Sequence, residues 1–155
     1  LFVEERVLQG LDYAIASIHP PVYLGLDARE NTRAYIAAMQ SPFVKIIGHP
    51  EDGHVPVDFA MLVQAARDTR TLLEVNNTSL RPVTSRIHTR ENMIEMLRLC
   101  ERYGVCVSTG TDSHFATAVG KFQETLALLD EIRFPEELVA CTSYEKFRAL
   151  IAMKN

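Results

Sequence analysis

The chain has 155 residues, of which 47% are hydrophobic and 23% are charged, a balance typical of a soluble globular domain with one buried core. Its net charge is −4 and it contains no dense Lys/Arg run, which argues against nucleic acid as a partner. No apolar run is long enough to span a membrane, and the three cysteines lack CxxC spacing, so we expect a cytoplasmic protein with reduced thiols and no membrane contact.

Short apolar runs alternate with amphipathic segments along the chain. In chain order we predict a strand over residues 13–18, a helix over 29–40, a strand over 44–48, a helix over 57–69, a strand over 72–76, a helix over 89–103, a strand over 105–109, a helix over 122–132, a weak fifth strand over 138–142 and a helix over 143–153. Strands that alternate with helices predict βα units and a parallel sheet. Either an open α/β sheet or part of a (β/α) barrel fits this pattern.

Histidine and aspartate residues follow three of the predicted strands. His19 and His49, each followed by proline, come after the first and second strands, and Asp112 and His114 come after the fourth. The prolines disfavour helical backbone at the preceding residue, so we expect both histidines on extended continuations of their strands. Each group alone could be a turn or capping residue. Together, at the carboxyl ends of strands, they indicate a shared metal site for zinc, or for manganese or iron.

Four further polar residues near strand ends have structural alternatives to a functional role. His54 and His88 are interpreted as loop residues and not as metal ligands. Asn76 and Asn77 end the third strand, where asparagine could orient a ligand or water but commonly satisfies turn backbone.

Two arginines in the loop after the third strand are candidates for binding an anionic substrate. Arg81 and Arg86 carry guanidinium groups that match phosphate oxygens in a bidentate manner, and a solvated loop is the alternative. The sequence contains no Gly-rich phosphate loop and no GxSxG motif, so neither a nucleotide site nor a serine hydrolase is supported.

The blocks SIHPP, IIGHPEDGHVPVD, LEVNNTS and STGTDSHFATAVG resemble the PHP (polymerase and histidinol phosphatase) superfamily, and most closely its small stand-alone phosphatases of the YcdX type. The resemblance covers nearly the whole chain, with the blocks in the family's order, and GTDSH is the most specific of them. It implies a distorted, TIM-like (β/α)7 barrel that carries metal ions, usually three zincs, at the carboxyl ends of its strands.

The resemblance also implies roles for individual residues. His19 and His49 correspond to two ligands of one metal, and Asp112 and His114 to ligands of the other two. Asp112, His114 and Arg86 are the expected catalytic residues, and the expected reaction is metal-dependent hydrolysis of a small phosphate monoester.

The sequence departs from the family pattern at its beginning. The family starts with a strand carrying His-x-His, followed by further histidines and a bridging glutamate, and no His-x-His occurs in this sequence. Residues 1–155 therefore resemble the C-terminal two thirds of a single PHP domain, an incomplete barrel of about five βα units. An unpaired sheet edge would then favour self-association. The alternatives are a catalytically inactive fragment with partial metal binding, or an amidohydrolase-like enzyme acting on C–N bonds, although no lysine stands at a suitable strand end.

Overall fold

The computed structural model describes residues 3–20, 22 and 27–154 of the chain. These residues form a parallel sheet of four strands with helices between them. In chain order the elements are α1 (Glu5–Leu8), β1 (Ala14–Ala16), α2 (Ala28–Met39), β2 (Val44–Ile47), α3 (Phe59–Thr69), β3 (Leu72–Asn76), α4 (Thr89–Tyr103), β4 (Val107–Gly110), α5 (Gln123–Glu131) and α6 (Tyr144–Ala152). The short α1 was not predicted.

The strands lie side by side in the order in which they occur in the chain. β1 pairs with β2, β2 with β3, and β3 with β4, each pair in parallel. Consecutive parallel strands joined by helices are βα units, so the predicted α/β class is confirmed. The arrangement is consistent with part of a TIM-like barrel, and closure of a barrel stays an expectation.

The main hydrophobic core lies between the sheet and helices α2, α3, α4 and α5. It contains apolar side chains from both layers. These include Ile47, Leu73 and Val107 of the strands and Leu62 and Leu97 of the helices, none of which has more than a trace of exposed surface. A smaller cluster includes Ile46 and Leu72 of the strands, with α6 supplying Ile151.

Helix ends follow the local chemistry of the sequence. Asp58 caps α3 because its side chain accepts a hydrogen bond from the backbone N–H of Met61. Gly104 ends α4 in the left-handed conformation, with φ of 67°, which is the usual role of glycine at this position.

The predicted fifth strand over residues 138–142 is wrong. This part of the chain forms two short 3₁₀ turns, Glu136–Leu138 and Ala140–Thr142. Only Val139 between them bridges the sheet, opposite Val107. The second turn buries Ala140 completely, whereas a strand at the edge of the sheet would not have to bury this residue.

Among the described residues, no helix combines the length and apolar character needed to cross a membrane.

Candidate active site

His19 and His49 meet at the carboxyl end of the sheet. β1 and β2 are adjacent parallel strands, so residues that follow them reach the same edge. The two Nε2 atoms lie 3.2 Å apart, and the rings are edge-on with an interplanar angle of 63°. Ser17 places its hydroxyl oxygen 2.9 Å from Nε2 of His19. The structure therefore brings together two of the four predicted metal ligands.

The backbone of His49 differs from the expected extended conformation. Its φ is 33°, in the left-handed region that non-glycine residues rarely adopt. The turn aims the N–H of His49 at Glu74, whose Oε2 accepts it at 2.8 Å. A buried hydrogen bond to a carboxylate can offset the cost of such a conformation, and the preference of a pre-proline residue for extended backbone is overridden here.

The pKa of His49 is lowered to about 4, first by burial and then by the positive charges of Arg86 and His19. The ring is therefore neutral near pH 7, the form in which imidazole binds metals. Its Nδ1 is buried and has no hydrogen-bond partner among the residues that the structure describes.

Arg86 occupies the centre of a polar network beside this pair. Its Nη2 donates to Oδ2 of Asp112 at 2.7 Å, and its Nη1 donates to Oγ of Ser79 at 2.8 Å and to Oδ1 of Asn76 at 3.3 Å. Its Nε lies 3.9 Å from Oδ2 of Asp52, and only 12% of its side chain is exposed. The loop chemistry alone made Arg81 and Arg86 equal candidates, and the family resemblance singled out Arg86. The structure leaves Arg81 exposed and brings Arg86 into the site.

Asp112 combines a left-handed backbone, with φ of 47°, and a charged side chain. Burial alone would raise the pKa of Asp112, but the hydrogen bond and charge of Arg86 hold it below its ordinary value. The carboxylate is therefore ionised near neutral pH and already has a cationic partner.

His114 is exposed, and among the described residues it forms no hydrogen bond with His19 or His49. Its Nδ1 donates to the backbone oxygen of Asp112 at 3.0 Å, and its Nε2 has no hydrogen-bond partner in the described part of the chain. A histidine that binds a metal through Nε2 usually makes this kind of hydrogen bond with its other nitrogen.

The residues present fit a metal ion in part. A tetrahedral zinc with Zn–N bonds of about 2.0–2.1 Å separates two ligand nitrogens by roughly 3.3 Å. The Nε2 atoms of His19 and His49 match that separation at 3.2 Å. Within the described parts of the chain, however, no group of three or more His, Cys, Asp or Glu residues is arranged to hold a metal ion. The histidine pair thus supplies two positions of a coordination sphere.

Two buried glutamates lie beside the site and were not singled out from the sequence. Glu74 lies within β3, accepts from Nδ2 of Asn76 at 3.1 Å, and has a pKa raised by burial. Glu51 is fully buried, its pKa is raised to about 8 chiefly by burial, and neither of its carboxyl oxygens has a partner among the described residues. A glutamate inside the apolar run LLEVN was the signal that could have identified Glu74.

The remaining polar candidates have structural partners. Asn77 accepts from the backbone N–H of Thr125 at 3.0 Å, and Asn76 accepts from the backbone N–H of Ser79 at 3.1 Å. Asn76 also accepts from the central arginine, so it serves both the turn and the site. His54 lies in a turn, as predicted for a loop residue.

Comparison with curated proteins finds relatives along the whole chain. A probable phosphatase of Clostridium novyi is 35% identical over 155 residues, which is 100% of this chain and 63% of the relative. A probable phosphatase of Caldanaerobacter subterraneus is 37% identical over 97% of this chain and 59% of its own length. One of Citrobacter koseri is 41% identical over 86% of this chain and 54% of its own length.

A scan against protein-family models finds no match. The chain is therefore similar, along its whole length, to curated proteins named probable phosphatases, and it spans less than two thirds of the length of those it matches.

Proposed function

We propose that the protein is a metal-dependent phosphatase of the PHP type that hydrolyses phosphate monoesters, and that this chain carries the C-terminal part of the site. The reaction class is supported by relatives named probable phosphatases at about 35% identity over the full chain. The observation that carries the metal dependence is the facing Nε2 atoms of two imidazoles, the exposed His19 and the buried His49, of which His49 is neutral near pH 7.

His19 and His49 would hold one metal ion, and Asp112 and His114 would each contribute to others, up to three zincs in a complete site with manganese or iron as alternatives. We place the remaining ligands in sequence that the relatives have and this chain does not span. Metal ions in such a cluster lower the pKa of a bound water and neutralise charge on phosphoryl oxygens.

Arg86 would bind a non-bridging oxygen of the substrate. A guanidinium has five N–H donors, and both N–H groups of Nη1 and one of Nη2 are used by Asn76, Ser79 and Asp112. The second N–H of Nη2 has no partner among the described residues, so it is left for a phosphoryl oxygen. The hydrogen bonds fix the plane of the guanidinium before substrate arrives, which reduces the entropy lost on binding.

A second candidate, a catalytically inactive chain with partial metal binding, is favoured by two observations. The described residues contain no group of three or more metal-binding side chains, and Asp112 is paired with an arginine. A protein that bound one weakly held ion through the histidine pair would fit these facts without any hydrolysis.

The test is hydrolysis of p-nitrophenyl phosphate by the full-length protein loaded with zinc or manganese. His49→Ala and Asp112→Ala should each lower kcat/KM by at least about 100-fold, since loss of even the partners of metal ligands costs 10–100-fold. Asp130→Ala, which removes an exposed carboxylate on α5, is the matched control and should keep full activity.

Full turnover in both site variants would rule out the assigned residues. No turnover by wild-type protein that contains several metal equivalents would favour the inactive candidate.

A further inference from the structure

His54 and Asp52 form a histidine–carboxylate pair outside the proposed metal ligands. Oδ1 of Asp52 accepts two hydrogen bonds from His54, one from the ring Nδ1 at 2.9 Å and one from the backbone N–H at 3.1 Å. The two bonds hold the imidazole in one orientation relative to the carboxylate. The other ring nitrogen, Nε2, has no hydrogen-bond partner among the described residues.

The two members of the pair differ in exposure in the way that a proton-transfer pair requires. The side chain of Asp52 is 13% exposed, whereas that of His54 is 45% exposed. The carboxylate of Asp52 is thus shielded from solvent, and the imidazole of His54 that it orients is open to a ligand.

Asp52 also links His54 to the site. Its second oxygen, Oδ2, lies 3.9 Å from Nε of Arg86, and Arg86 in turn donates to Asp112. Asp52 therefore connects the imidazole of His54 to the guanidinium that would bind the phosphoryl group.

The loop that carries the pair is held by two hydrogen bonds to residues 87 and 92. The N–H of Gly53 donates to the carbonyl oxygen of Ile87 at 2.9 Å, and Nδ2 of Asn92 donates to the carbonyl oxygen of Glu51 at 2.8 Å. A Cβ atom on Gly53 would lie 2.8 Å from the oxygen of Ile87, so this close approach requires glycine. Backbone anchored directly before His54 favours a positioned functional side chain.

We infer that His54, oriented by Asp52, donates the proton to the leaving-group oxygen of the phosphate monoester; this inference rests on the proposed function. A water oxygen forms the new bond to phosphorus and releases its proton to solvent. The ester P–O bond breaks, its electron pair stays on the leaving oxygen, and that oxygen takes the proton from Nε2 of His54. Solvent then reprotonates the imidazole, while Asp52 accepts the Nδ1–H throughout.

The dependence on the leaving group tests this role in the full-length, metal-loaded protein. An alkyl phosphate leaves as a strongly basic alkoxide and needs a proton, whereas p-nitrophenyl phosphate leaves as a stabilised anion and does not. His54→Ala and His54→Gln should both lower kcat for the alkyl ester by about 100-fold or more, the usual contribution of a general acid, with little change for the nitrophenyl ester. Asp52→Asn should show a weaker form of the same selectivity.

His88→Asn is the control, because it removes an exposed loop histidine and keeps a residue that tolerates the left-handed backbone found there, with φ of 54°. It should leave both substrates unaffected. If the His54 variants lost kcat equally on both substrates, or lost it on neither, proton donation by His54 would be wrong. The proposed phosphatase activity would still stand. If the wild-type protein hydrolysed neither ester, the proposed function would fall and the role of His54 with it.

Discussion

Two of the candidate functional residues occupy backbone conformations that are costly for residues other than glycine. His49 has φ of 33° and Asp112 has φ of 47°. Each is stabilised by a hydrogen bond to a neighbouring side chain, since Glu74 accepts the N–H of His49 and Arg86 donates to the side chain of Asp112. Residues held in such conformations cluster at functional sites, where the surrounding structure fixes them.

Glu51 gives a pH-dependent prediction at the residue scale. Its pKa is raised from 4.5 to about 8 by burial, so the folded protein keeps a proton that the unfolded chain loses. As the pH rises from 4.5 to 8 the unfolded state is favoured, and the contribution of Glu51 to stability falls. Glu51→Gln should therefore stabilise the protein at pH 8, by roughly 1–3 kcal/mol, and have a smaller effect at pH 5.

Urea unfolding at both pH values, with a chelator present, measures this difference. Glu137→Gln, a change at an exposed glutamate, should show no such pH dependence. The account of Glu51 would be wrong if the Gln variant were equally or less stable than the wild type at pH 8.

At the scale of elements, the contact between β3 and β4 fixes the site. Gly110 ends β4 opposite Asn76 of β3, and the side chain of Glu74 reaches it: a Cβ atom on Gly110 would lie 1.8 Å from Oε1 of Glu74. Gly110→Ala should push that carboxylate away from the N–H of His49. We expect a loss of about 1–3 kcal/mol in the free energy of unfolding, as for other overpacked positions, together with weaker zinc binding.

Gly10→Ala is the matched control for this prediction. Its new methyl group would meet only the carbonyl oxygen of Val7, at an ordinary contact distance of 3.5 Å. Denaturant unfolding and zinc titration of the two variants make the comparison. Unchanged stability and zinc affinity in Gly110→Ala would mean that the Glu74 contact does not hold the site.

The sequence predicted elements well where local signals and packing agree. The strand Leu72–Asn76 and the helix Thr89–Tyr103 have the predicted bounds, because an apolar run and an apolar helical face both end at clear polar or glycine positions. The strand predicted over residues 138–142 was wrong because so short an apolar run is compatible both with a strand and with turns that bury the same side chains.

The candidate site was predictable only in part for a related reason. The parallel topology brought His19 and His49 together, as strand-end positions predict. The contacts of Glu51 and Asp52 depend on how their turn packs against Asn92 of α4 and against Arg86, and sequence spacing carries no signal for such contacts. The left-handed turn at His49 depends equally on a distant residue, Glu74.

At the scale of the whole molecule, the sheet has an open edge among the described residues. β1 pairs with β2 on one side, and Ile15 within it is 52% exposed. An exposed apolar edge strand can pair with another chain, so the 155-residue chain should associate as its concentration rises. Ile15→Lys should weaken that association, because a charge on an edge strand opposes pairing.

Light scattering after size-exclusion chromatography gives the mass of each variant. Leu126→Lys, at an apolar residue of α5 that is 62% exposed, is the control and should leave association unchanged. A wild-type chain that stayed monomeric over the whole concentration range would contradict the prediction.

The most direct measurement of the central claim is the zinc content of the full-length protein after exhaustive dialysis, compared with that of the His19→Ala/His49→Ala double variant. The facing nitrogens of these two rings are the basis of the proposed metal site. The account predicts that the wild type retains zinc in stoichiometric amounts and that the double variant, still folded by circular dichroism, loses at least one equivalent per chain. Equal zinc in the two proteins, or none in the wild type, would contradict it.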